Sequence, residues 1–111
     1  MNLNNKRFIT VENKKGLSSN ETVFYYSQYQ NIISGTYKGG EIEEGFIVGK
    51  QVDNSRIELL FQCLTKDGNL KAGKSKGIIS KNTAGKLELK FEWNWLNGDL
   101  SGGTSTYIEL T

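Results

Sequence analysis

The segment Leu87-Glu88-Leu89-Lys90-Phe91-Glu92-Trp93-Asn94-Trp95 decides how this chain folds. Large apolar residues at 87, 89, 91, 93 and 95 alternate without a break with Glu88, Lys90, Glu92 and Asn94. A strand sends successive side chains to opposite faces, so this order makes one apolar and one wet face. A helix would scatter the same residues around its circumference. Upstream, Ile57, Leu59, Phe61 and Cys63 alternate with Arg56, Glu58, Leu60 and Gln62, where Leu60 blurs the pattern. Further upstream, Ile42, Glu44, Phe46 and Val48 alternate with Glu41, Glu43, Gly45 and Ile47. Turn residues separate the runs. Lys66-Asp67-Gly68-Asn69 predicts a two-residue hairpin with positive φ at both central residues, and Asn97-Gly98-Asp99 predicts another. Gly39-Gly40, Asp53-Asn54-Ser55 and 82–85 read as further turns, and 13–20 is the longest connection.

The strands then fall at about 6–12, 21–28, 32–38, 41–51, 56–65, 70–80, 86–96 and 103–111. No segment carries a 3.6-residue period long enough for a helix. Short connections make sequence neighbours spatial neighbours, hence an antiparallel meander. The reading is all-β: an up-and-down barrel of about eight strands, whose closure removes the two edges of an open sheet. The absence of proline suits paired strands throughout. A curled open sheet is the alternative, since Tyr37 to Gly45 resembles one unit of a MORN-type hairpin repeat, but the unit does not recur. At 111 residues and 12.4 kDa the chain is a single domain over 1–111, with 1–5 expected as a flexible tail.

Composition excludes several chemistries. Without histidine there is no Ser-His-Asp triad, Cys-His pair or imidazole metal ligand. One cysteine gives neither an internal disulfide nor a thiolate cage. No catalytic set, metal site or cofactor is assigned. A net charge of +2 is too small to point to nucleic acid. The N-terminal residues lack the apolar core of a secretory signal, and no apolar run approaches the roughly 18 residues of a membrane helix. Together with the free Cys63, these features predict a cytoplasmic protein with no membrane partner. Richness in Asn, Lys and Ile points to a bacterial source.

Barrel geometry sorts the loops. Connections after strands 1, 3, 5 and 7 share one end, expected to be the open mouth because it holds the longest loop and the glycine-rich turn near 97–103. Trp93, Trp95, Tyr37, Phe61 and Cys63 lie toward that end. If Ile42, Phe46 and Val48 face inward, so does Glu44, a carboxylate at the rim of an aromatic-lined cavity. Gly73, Ser75 and Gly77 share a face and could leave space inside the barrel or permit coiling of the strand. Each residue also has a plain structural role. The tryptophans can be ordinary core, Glu44 a solvated rim residue and Cys63 an inert buried thiol. Lys71, Lys74, Lys76 and Lys81 can form a solvated basic strip. In the last strand Thr106, Ile108 and Leu110 are more apolar than Ser105, Tyr107 and Glu109 and are placed inside.

Two resemblances accompany this reading. Ile33-Ser34-Gly35-Thr36-Tyr37, Trp93-Asn94-Trp95-Leu96-Asn97-Gly98 and Gly103-Thr104-Ser105 resemble strands of the avidin-like barrels, within the wider calycin-like group. This resemblance implies an eight-stranded barrel. It carries over no biotin site, because the convergent hydroxyl and amide groups that such a site requires cannot be placed residue by residue. The segment Ser19 to Tyr26, Tyr37-x-Gly39-Gly40-x-Ile42, Trp93-x-Trp95-x-x-Gly98-Asp99, Gly103-Thr104-Ser105 and Glu109 are similar to small bacterial proteins labelled N-acetylglutamate synthase. That label implies acetyl transfer to glutamate. The usual acetyltransferase fold needs flanking helices and a pyrophosphate loop opening a helix, and the sequence carries neither.

Three functions compete, with nucleic-acid binding through the lysine strip and Tyr or Trp stacking as a minor fourth. The favoured one is non-enzymatic binding of a small apolar or aromatic ligand by Tyr37, Phe61, Trp93 and Trp95, with Glu44 orienting it. The second is an interaction module with a filled barrel, in which Leu60 and Leu64 mark a surface or a homo-oligomer contact. The third is an enzyme with Glu44 as base and Tyr37 as donor.

Overall fold

Each alternating segment becomes a strand, and the short turns force each strand to pair with the next. The structure, a computed structural model, describes residues 2–14 and 16–110. Eight strands follow in order: β1 (Lys6–Asn13), β2 (Val23–Tyr29), β3 (Ile32–Gly39), β4 (Ile42–Gln51), β5 (Arg56–Thr65), β6 (Leu70–Lys81), β7 (Leu87–Trp95) and β8 (Gly102–Leu110). All pairings are antiparallel, and β8 returns to β1 to close the barrel. Closure leaves no unpaired edge. The core is the barrel interior, filled by inward residues such as Phe8, Ile33, Ile57, Leu59, Ile79 and Leu89.

The β5–β6 hairpin forms where expected, with different turn chemistry. Only Gly68 has positive φ, at 90°. The Gly68 N–H donates to the Thr65 carbonyl at 3.0 Å, and Asp67 keeps ordinary backbone angles. The hairpin is therefore a four-residue loop with one left-handed glycine, not a two-residue turn with two.

Two strands depart from simple alternation. In β4 the pairing register shifts between Ile42 and Glu44, a β-bulge that places one extra residue in the strand. Ile42 points inward, Glu43 and Glu44 both point out, and Gly45 and Ile47 are inside. Glu44, Phe46 and Val48 thus lie on the outer face, opposite to the face expected for them. In β8 the inward set is Ser105 and Tyr107, not Thr106, Ile108 and Leu110. The β7–β8 register puts Phe91 opposite Ser105 and Leu89 opposite Tyr107, and residues directly opposite share a face.

Four inward glycines each sit opposite an aromatic residue on the neighbouring strand: Gly45 opposite Tyr37, Gly73 opposite Phe61, Gly77 opposite Phe91 and Gly103 opposite Trp93. A Cβ at Gly45, Gly73 or Gly77 would collide with that ring, and one at Gly103 would strike the Lys14 carbonyl before it reached Trp93. Gly73 and Gly77 therefore leave no open space. They let the rings lie flat against the wall, so that a small barrel can hold so many aromatics.

The end opposite the mouth is closed by the segment expected as a tail. Leu3 is fully buried, its N–H donates to Gln28 Oε1 at 2.9 Å, and the Gln28 N–H donates to Asn4 Oδ1 at 2.9 Å. Gln28 Nε2 continues to Gln51 Oε1 at 2.6 Å. On the side wall, the Glu109 carboxylate accepts from the Leu87 N–H at 2.9 Å and from Lys6 Nζ at 3.0 Å, joining β8 to β7 and β1.

Candidate functional site

At the mouth end the barrel encloses a cavity of about 60 Å³. One wall comes from β5 and β7. Phe61 meets Trp95 edge-on, with centroids 5.7 Å apart, and Trp95 meets Trp93 at 5.1 Å. Outside that pair Lys71 Nζ lies 4.8 Å from the Trp95 ring centroid, a cation–π contact at the rim. Lys71 is opposite Cys63 on the inward side, whereas Lys74 and Lys76 are opposite outward residues, so these lysines do not form one strip.

The facing wall comes from β2, β3 and β8. Phe24 stacks on Tyr37 at 4.9 Å with the ring planes 14° apart, and Tyr107 packs edge-on against both Phe24 and Phe91. Burial pushes the Tyr37 phenol well above its ordinary pKa, helped by the neighbouring Cys63 thiol, and raises Tyr107 against the hydrogen bonds from Ser105 and Ser18. Burial likewise raises Cys63, which keeps the thiol protonated and poorly nucleophilic.

The polar groups gather where β1 and β8 reach the mouth. Asn13, Ser18, Ser105 and Tyr107 all border the cavity. Asn13 Nδ2 donates to the Ser18 carbonyl and hydroxyl, both at 2.9 Å, and Thr10 Oγ1 bonds to Ser18 Oγ at 3.0 Å. Asn13 Oδ1 is buried without a hydrogen-bond partner, and the buried Ser105 Oγ meets the neighbouring Tyr107 phenol short of full hydrogen-bond geometry. A buried polar atom left unpaired costs about 1–3 kcal/mol, so such atoms in a binding site mark where a ligand's own polar group fits. Gly16, Leu17 and Ser18, between β1 and β2, border the cavity, with Leu17 packed against the core.

Of the residues singled out in the sequence, Tyr37, Phe61, Trp93 and Trp95 border this cavity. Glu44 does not. The bulge in β4 turns it to solvent, so the barrel wall separates it from Tyr37 and from any ligand inside. Among the described residues no carboxylate lines the cavity, and the pairing of Glu44 as base with Tyr37 as donor is geometrically closed. Among the described residues no group of three or more Cys, Asp or Glu could hold a metal ion. Sequence reasoning missed Asn13, Ser18, Phe24, Ser105 and Tyr107. The cross-strand register of β8 against Trp93 and Phe91 was the signal that could have found the last two.

Comparison with known proteins fits this geometry. The family model described as "Avidin-like protein" matches residues 1–110. The chain belongs to the avidin-like family. Among solved structures, apo shwanavidin (P21 form) superposes on this avidin-like barrel with a TM-score of 0.65. It is 12% identical and covers 97% of this chain and 96% of its own. At that identity the likeness shows the shared fold. No curated protein matches the chain.

Proposed function

We propose that this avidin-like barrel binds a small ligand at its mouth, with a compact polar head and an apolar body, and performs no chemistry on it. The observation that carries the reading is the pairing of an aromatic wall (Phe61, Trp93, Trp95) with a buried, unpartnered amide oxygen, Asn13 Oδ1, and the inward Ser105 hydroxyl across one cavity. Few convergent polar groups in an apolar pocket are the usual make-up of small-molecule sites. Asn13 Oδ1 accepts only, so the head must offer an N–H or O–H donor. Tyr37 borders the body, and the inert Cys63 and absent carboxylates argue against group transfer.

The cavity of about 60 Å³ is less than half the roughly 150 Å³ that accommodates benzene. A ligand with a ring must therefore displace Leu17, which packs against the core beside the hydrogen-bonded Ser18. Members of the family bind small ligands such as biotin, which makes biotin the first probe.

The test is native mass spectrometry of freshly purified protein, followed by titration of tryptophan fluorescence with biotin and related cyclic ureas and amides. An adduct above 12.4 kDa that disappears on denaturation, or a saturable change lost in Trp95→Phe and Asn13→Ala, supports the reading. A bare mass together with no response to any of these probes would replace it with the filled-barrel module.

A further inference from the structure

Asn97 is followed by glycine, and it is the only one of the eleven asparagines in the chain that is. Glycine has no Cβ to shield its amide nitrogen, so that nitrogen can approach the side-chain carbon of the asparagine before it. The pair lies in the connection between β7 and β8, at the mouth. There the Asn97 side chain acts as a clasp. Its Oδ1 accepts from the Ala72 N–H at 3.0 Å, and its Nδ2 donates to the Leu70 carbonyl at 2.9 Å. Both partners belong to β6, and the Leu96 N–H donates to the Ala72 carbonyl at 2.7 Å beside them. The clasp thus continues the β6–β7 ladder past Trp95.

The clasp restrains a strained loop. Gly98 has a φ of 71° and Leu100 a φ of 58°. That left-handed backbone suits glycine and is unfavourable for a bulky residue. The Leu100 side chain is exposed, so core packing does not hold it there. Polar bonds do: the Trp95 N–H to the Ser101 carbonyl at 2.8 Å, the Ser101 N–H to Asp99 Oδ1 at 2.9 Å, and the two bonds of Asn97. The Gly98 N–H, by contrast, bonds to none of the described residues. An unengaged backbone nitrogen therefore stands next to an amide carbonyl that the Ala72 N–H already polarises.

We propose that Asn97 is a site of spontaneous deamidation, which proceeds when the clasp opens and then keeps it from closing again. The Gly98 nitrogen gives up its proton to solvent and bonds to Asn97 Cγ. The Cγ–Nδ2 bond breaks, and the nitrogen takes a proton from water and leaves as ammonia. The product is a five-membered succinimide. Water opens that ring at either carbonyl, giving aspartate or the β-linked isoaspartate. Overall one water is consumed and one ammonia released, with no change of oxidation state. While Nδ2 is bonded to Leu70, Cγ is held toward β6, so the reaction waits for release. Afterwards an aspartate still accepts from the Ala72 N–H, but it sets a carboxylate oxygen, which cannot donate, against the Leu70 carbonyl. Isoaspartate lengthens the main chain by one carbon and shortens the clasp by the same amount.

Incubation of the folded protein in mildly alkaline buffer, beside the chain unfolded in urea, tests this by peptide mapping that separates the two products. Asn97 should convert before Asn54, which precedes serine, and before every other asparagine. The folded protein should react about tenfold more slowly than the unfolded chain, because local opening comes first. The product is mimicked by Asn97→Asp. This variant should speed hydrogen exchange of the Ala72 and Leu96 N–H groups about tenfold, the effect of one lost hydrogen bond, and leave the Leu89 N–H in the middle of β7 unchanged. Four results would overturn the proposal: first conversion at another asparagine, equal rates in the two states, no conversion in the folded protein while the unfolded chain reacts to completion, or parental exchange at Ala72 and Leu96 in Asn97→Asp.

Discussion

Single residues at the mouth do opposite jobs according to which way the backbone turns them. Glu44 and Tyr37 lie on adjacent strands, yet one faces water and the other the core, because a bulge adds one residue to β4. Ser105 has an inward hydroxyl whose contact with the Tyr107 phenol falls short of full hydrogen-bond geometry. An unsatisfied buried hydroxyl lowers stability, so Ser105→Ala should leave thermal unfolding unchanged or raise the stability by up to about 1 kcal/mol. The same variant should weaken capture of any ligand that the native protein carries. Calorimetric unfolding and native mass spectrometry measure the two effects. A loss of several kcal/mol would show that the hydroxyl is a structural partner and not a spare one.

At the scale of strands, the interior depends on paired glycine and aromatic positions. Tyr37 lies across Gly45 and stacks on Phe24, so one ring ties β2, β3 and β4 together. Gly45→Ala must push that ring aside into a filled interior. The expected cost is about 1–3 kcal/mol, read as a lower midpoint in urea with little change in slope. An equal substitution at Gly68, in the β5–β6 turn, meets no atom within 4 Å and instead strains a positive φ, which separates the two causes. If Gly45→Ala were neutral, the ring would have room to move and the cavity would be more plastic than its aromatic stacking implies.

The whole molecule carries its buried phenols as one unit. Tyr26, Tyr37 and Tyr107 are all raised in pKa, by burial first and by one another second in the case of Tyr26. The folded state therefore favours the neutral phenol. Its contribution is complete below the unfolded value of about 10 and is lost as the pH rises beyond it. Absorbance at 295 nm against near-ultraviolet dichroism should show three of the five tyrosines ionising only as the barrel unfolds. Phenolate from all five with the dichroism intact would mean that water reaches the core through the mouth. At the opposite end Leu3 and the Gln28–Gln51 chain keep the floor shut, so access belongs to the side covered by Leu17.

The eight strands, their order and the aromatic side of the cavity were readable from the sequence alone, whereas closure was the favoured reading beside a curled open sheet and was decided by the pairing of β8 with β1. They rest on local physics: a period of two, turn residues at short spacing, and the apolar run Leu87 to Trp95. What remained hidden depends on contacts between strands distant in sequence. A single inserted residue reverses every side chain that follows it, so the face of Glu44 is set by how β4 pairs with β5 and not by its own neighbours. The face of Tyr107 is set by Phe91 and Leu89 across the β7–β8 ladder, against the greater apolarity of Ile108 and Leu110. Leu3 acquires a role only once a barrel exists for it to close, and Asn13 and Ser105 come together only because β1 and β8, at the two ends of the chain, are neighbours in the closed sheet.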